Sequence, residues 1–109
     1  MTNEHKHYFW NKDFPKAEKF FSSYYFDGAA QDIADTDEGV IDIALEWNGR
    51  NFVQDTYTQL QELINSDMED DELHDFIHDK LGSAYVAEPG KSRKWLIRIC
   101  KIIENKTKL

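Results

Sequence analysis

Two histidines four residues apart, His74 and His78 in the run HDFIH, are the first residues whose spacing could do chemistry. On a helix that spacing places both imidazoles on one face, able to share a metal ion. The run also differs from the zinc-protease pattern His-Glu-x-x-His only in carrying Asp75 where that pattern has its general base. Asp75 is one methylene short of the usual glutamate, and no third ligand follows at a spacing such enzymes use. Both histidines lie beside an apolar stripe that the helix needs for packing. Solvated or half-buried histidines on an acidic helix are therefore the expected reading, with Asp71, Asp75 and Asp79 near enough to favour their protonated forms. A metal-dependent hydrolase built on His74 and His78 stays open as an alternative.

A calcium loop is the second chemical candidate. Counting from Asp35, oxygens fall at loop positions 1, 3 and 12 through Asp35, Asp37 and Glu46. The sharp turn of such a loop needs glycine at position 6, where this chain has Val40, and Asp42 falls where an apolar residue normally packs. The single cysteine, Cys100, lies inside the apolar run WLIRICKII and reads as a buried, inert thiol. HKH at 5–7 reads as part of a solvated arm. The sequence carries no phosphate-cradling glycine loop, nucleophile elbow, Cys-x-x-Cys pair or dinucleotide fingerprint. No catalytic residue set, metal site or cofactor is expected.

The charge distribution is the stronger signal. The net charge of −8 is spread very unevenly: residues 27–79 hold 16 acids against the single base Arg50, residues 80–109 hold 8 bases against 2 acids, and residues 1–26 are nearly neutral. So acidic a middle repels phosphate, which argues against direct nucleic-acid binding there. Two groups of acids stand out: Asp32, Asp35, Asp37 and Glu38, and then Asp70, Asp71, Glu72, Asp75 and Asp79. Like charges one helical turn apart are unfavourable by roughly 0.2–0.5 kcal/mol per pair. Such density is explained by a solubilising face, or by a basic partner that accepts the charge.

The elements that must carry these residues are helical. A chain of 109 residues fits one domain. No apolar run approaches the roughly 20 residues that span a bilayer, and no membrane contact is expected. Asp13 caps and Pro15 opens a first helix in which Ala17, Phe20, Phe21, Tyr24 and Tyr25 share a face. Thr36 or Asp37 caps a second helix through Trp47, whose apolar side is Val40, Ile41, Ile43, Ala44, Leu45 and Trp47. NGRN at 48–51 is a turn signal, and a third helix follows to about 65, with Val53, Tyr57, Leu60 and Ile64 inward and Gln54, Asp55, Gln59 and Glu62 in water. A fourth helix buries Leu73, Phe76, Ile77 and Leu81 and stops at Gly82. Ser92 caps a fifth, buried through Trp95, Leu96, Ile97, Ile99, Cys100, Ile102 and Ile103. With no period-two alternation, the expected fold is all-α: a compact single-domain bundle of about five main helices over 14–109, after an N-terminal arm at 1–13.

The order of these segments resembles the small immunity proteins of bacterial contact-dependent growth inhibition systems. The resemblance covers residues 17–104 and is carried by SYYFDG, ADTDEGV, LQELI, DDELHDFIHDKLG and AYVAEPGKSRKWLIRICKII. Tyr25, Phe26 and Asp27 match the family's Tyr-Phe-acid step, and Trp95 and Leu96 its closing helix. The family commonly has an Asp-Trp pair two residues after Tyr-Phe, where this chain has Asp27-Gly28-Ala29 and no Trp.

The resemblance implies a non-enzymatic cytoplasmic protein that binds the C-terminal domain of a delivered toxin, often a nuclease with a basic cleft, and blocks it. The candidate toxin-binding residues are then Asp32, Asp35, Asp37, Glu38, Asp70, Asp71, Glu72, Asp75 and Asp79, with Tyr57 or Trp47 as possible anchors. An acidic adaptor that imitates DNA is a further alternative.

Overall fold

A computed structural model describes residues 12–25, 36–83 and 87–108. Among these, all regular structure is helical. Helix α1 spans Pro15–Tyr24, α2 Asp37–Ile64, α3 Asp70–Asp75 with a π-helical continuation over Phe76–Lys80, and α4 Ser92–Thr107. Helix α2 is really two arms, because Gly49 sits inside it at φ 88°, ψ 168°. Only glycine adopts that conformation without strain. The five helices expected from the sequence are therefore present, with the NGRN turn reduced to a single break.

The break reverses the chain. Asp37, at the start of the first arm, lies 3.4 Å from Arg98 of α4, while the carbonyl of Ile64, at the end of the second arm, accepts from Arg93 Nε at 2.9 Å. A straight helix of this length would separate those ends by about 40 Å. Instead both meet the first turns of α4. Further along α4, Lys106 reaches Asp42 at 2.9 Å, Tyr57 Oη donates to Glu104 at 2.7 Å, and Arg50 donates to the carbonyl of Thr107. Helix α4 thus runs parallel to the first arm and antiparallel to the second, clasped between them.

Helix α1 closes the core. Ala17, Phe20 and Phe21 are fully buried, and burial of each Phe contributes roughly 1.5–3 kcal/mol. Trp95 of α4 meets the rings of Phe21 and Tyr25 at 5.5 and 5.4 Å, the latter edge-on, and Phe14 meets Phe76 of α3 edge-on at 5.6 Å. These contacts tie α1 to both later helices.

Five expectations from the sequence need correction. Trp47 is 62% exposed, and Ile97 is exposed at 36%, so neither belongs to the core. Gln59 does not face water: its Oε1 accepts from the amides of Lys16 and Ala17, at 3.0 and 2.9 Å, and so caps α1. Asp13 does not cap that helix, whose N-cap is Phe14. Ser92 does not cap α4; it is already inside the first turn, buried, with its hydroxyl unbonded. Thr36 does cap α2, accepting from Gly39 N at 3.0 Å. Gly82, at φ 77°, ends α3 as expected. No helix among the described residues is long and apolar enough to cross a membrane.

Candidate partner-binding surface

Folding divides the acids into those used internally and those left for solvent. Asp37 belongs to the first kind. Its carboxylate accepts from Tyr25 Oη at 2.7 Å and Trp95 Nε1 at 3.2 Å, with Arg98 Nε at 3.4 Å. Glu38 shares Arg98 at 3.5 Å, and Asp42 takes Lys106. Arg98 and Lys106 of α4 thus pair with three of the acids on the first arm of α2. Glu62 is likewise taken, by Lys12.

Asp70 is also structural. Its two carboxylate oxygens accept from the amides of Ser92 and Arg93, at 2.9 and 3.0 Å. It therefore fills, from a neighbouring helix, the capping role that the sequence assigns to Ser92, and it places a negative charge at the positive end of the α4 dipole. Glu72 is half-buried, and its Oε2 has no partner. Asp32 and Asp35 lie outside the described residues.

Three candidates remain on the surface together. Asp71, Asp75 and Asp79 are all exposed, and none has a Lys or Arg within ion-pair distance among the described residues. The π-helical continuation lines them up. In an α-helix a four-residue step overshoots a full turn by about 40°. In a π-turn, with its i→i+5 bonding, the same step falls short of one. The first step, Asp71 to Asp75, is α; the second, Asp75 to Asp79, runs through the π-turn, so the two drifts oppose each other and the row stays straight. Leu81 N bonds Phe76 O at 3.1 Å, the five-residue closure that defines this winding.

The histidines of HDFIH are engaged separately. His74 Nδ1 lies 3.6 Å from Asp75 Oδ1, and His78 Nδ1 lies 2.7 Å from the carbonyl of Ser83. A carbonyl only accepts, so His78 donates from Nδ1. Among the described residues no group of three or more His, Cys, Asp or Glu side chains is placed to hold a metal ion. Cys100 is buried, and burial pushes its thiol up to about 12, outweighing a hydrogen bond from Gln61 that acts the other way. It is a thiol, not a thiolate, at neutral pH.

Of the proposed anchors, Tyr57 is committed to Glu104, a hydrogen bond that is the main reason its hydroxyl is raised above its ordinary value. Trp47 is free on one face and rests its ring 6.1 Å from that of Tyr24 on the other. Sequence reasoning missed a surface feature of opposite sign: a cleft of about 280 Å³ lined by Ala87, Glu88, Lys91, Lys94, Trp95 and Arg98. Lys91, Lys94 and Arg98 follow one another at three- and four-residue steps, a spacing readable as a basic helix face. No protein family, characterised protein or solved structure matches the chain, so the reading of these surfaces rests on their own geometry and charge.

Proposed function

We propose that this chain is an immunity-type inhibitor: a cytoplasmic protein without catalysis of its own that binds one cognate toxin domain, of the kind used in contact-dependent growth inhibition, and blocks it. The observation that carries the proposal is the row of exposed acids Asp71, Asp75 and Asp79, left without a Lys or Arg partner among the described residues while Asp37, Glu38 and Asp42 of the same chain are paired internally. Unpaired like charges cost stability, and a basic cleft such as that of a nuclease would offset the cost and speed association by electrostatic steering. The order of sequence segments supports the same reading.

The test begins with tagged protein captured from its native host at low salt and eluted with rising salt, the eluate being read by mass spectrometry. A basic effector C-terminal domain is expected. Its association rate with the variant D71K/D75K/D79K should be at least tenfold slower than with the parent protein, and less dependent on salt. An eluate without such a domain, or an association rate indifferent to the triple reversal, would remove the reading. A host DNA-binding protein in its place would favour the acidic-adaptor alternative. Stoichiometric zinc or manganese in the purified protein would return attention to His74 and His78.

A further inference from the structure

The turn at residues 87–91 has a cleft on each side, and the two clefts carry opposite charge. Asp71, His74, Asp75 and Pro89 line one, of about 350 Å³. Glu88, Lys91, Lys94, Trp95 and Arg98 dominate the other. The turn between them is short and closed, with Lys91 N bonded to Glu88 O at 2.9 Å and Gly90 at φ 83°. Asp71, Asp75, Lys91, Lys94 and Arg98 are all exposed. Asp71 and Lys94 have no oppositely charged partner among the described residues, Lys91 meets the exposed Glu88 at 3.2 Å, and Arg98 is shared by Asp37 and Glu38, so Lys91 and Lys94 carry what positive charge that cleft has to offer.

We propose that this turn is the centre of a two-fold interface between two copies of the chain, in which the acidic cleft of each copy receives the basic cleft of the other. A two-fold interface needs one self-complementary patch, where residue i meets residue j and j meets i. A patch that is negative on one side of a short turn and positive on the other satisfies that condition. A partner basic throughout would complement only one of the two clefts. A second copy matches both. The net charge of −8 on each copy does not prevent this, because repulsion between distant charges is screened beyond about 8 Å at physiological ionic strength, whereas the clefts act at contact.

The dimer would use Asp71 and Asp75, which the proposed inhibitor complex also uses, so a toxin domain and a second copy would compete for them; the dimer is tested without any toxin, by sedimentation equilibrium on the whole chain. The parent protein should show reversible, concentration-dependent dimers. D71K/D75K, with both clefts basic, and K91E/K94E, with both acidic, should each self-associate at least tenfold more weakly. An equimolar mixture of the two should recover one-to-one association, because each then supplies what the other lacks. A parent protein that stays monomeric through the micromolar and millimolar range would overturn the proposal, and so would a mixture that fails to associate.

Discussion

Asp70 and Arg93 hold each other's chain segments in place. Asp70 Oδ1 accepts from the Arg93 amide at 3.0 Å, while the Arg93 guanidinium donates to the carbonyls of Ile64, Ser66 and Met68, at 2.9, 3.1 and 2.9 Å, in the segment leading to Asp70. One residue caps the start of α4; the other caps the end of α2. Asp70→Ala should cost roughly 1–2 kcal/mol of stability, the usual loss for a helix cap. Arg93→Ala should cost roughly 2 kcal/mol or more, because three carbonyls lose a charged donor, and Arg93→Lys should recover only part of it. Urea denaturation measures both. The cost at Asp70 should contrast with Asp71→Ala, which should change stability by less than about 0.5 kcal/mol.

Gly49→Ala should cost roughly 1–3 kcal/mol, wholly from the backbone. A Cβ there would meet nothing within 4 Å, so no clash contributes, and the φ of +88° is the whole penalty. A denaturation midpoint unchanged by the substitution would mean that the two arms of α2 do not need this reversal.

The two tryptophans Trp47 and Trp95 should behave oppositely. Trp95→Ala should cost roughly 3–5 kcal/mol, as large buried rings do, since Trp95 joins α1 to α4 and donates to Asp37. Trp47→Ala should cost less than about 1 kcal/mol, because most of its surface is already in water. If Trp47 anchors the toxin, its removal should instead raise the dissociation rate of that complex.

Cys100 should make the protein less stable in alkali. Burial holds the folded-state thiol near 12 against an ordinary value of 9.0, so the folded chain keeps a proton that the unfolded chain gives up. The contribution is full below about pH 9 and is lost as pH rises from there through 12. Tyr57, raised by its bond to Glu104, acts in the same direction at the upper end of that range. Cys100→Ala should flatten the decline in stability between pH 9 and 12. A disulfide reagent at pH 8 should label Cys100 only after denaturant is added.

Much of the fold is legible in the sequence because it is local. The aromatic face of α1, the stripe Leu73, Phe76, Ile77 and Leu81, and the core face of α4 follow from helical spacing alone, and all but Ile97 are buried. Helix starts are less legible. Thr36 caps its own helix and is readable, but α1 is capped by Gln59 and α4 by Asp70, residues 42 and 23 positions distant from amides that they hold. Rules based on neighbouring residues choose Asp13 and Ser92 in such cases because they cannot see a carboxylate or amide arriving from another helix. Charge was legible in amount but not in use. Composition groups Asp37 and Asp70 with Asp71, whereas the fold commits the first two to hydrogen bonds and leaves the third in water. The π-turn has no signal in FIHDK that periodicity would detect, since the sequence spacing of Leu73, Phe76, Ile77 and Leu81 is that of any helical stripe and does not reveal how the turn between them is wound.

The clasp of both α2 arms around α4 sets an order on biosynthesis. Translation delivers α1, then α2, then α3, and only afterwards the helix on which the others close. Until α4 leaves the ribosome, the first arm of α2 lacks Arg98 and Lys106, and the second arm lacks its apolar neighbour and the guanidinium that closes its end. The acid-rich part of the nascent chain therefore lacks its bases and part of its core until that helix emerges.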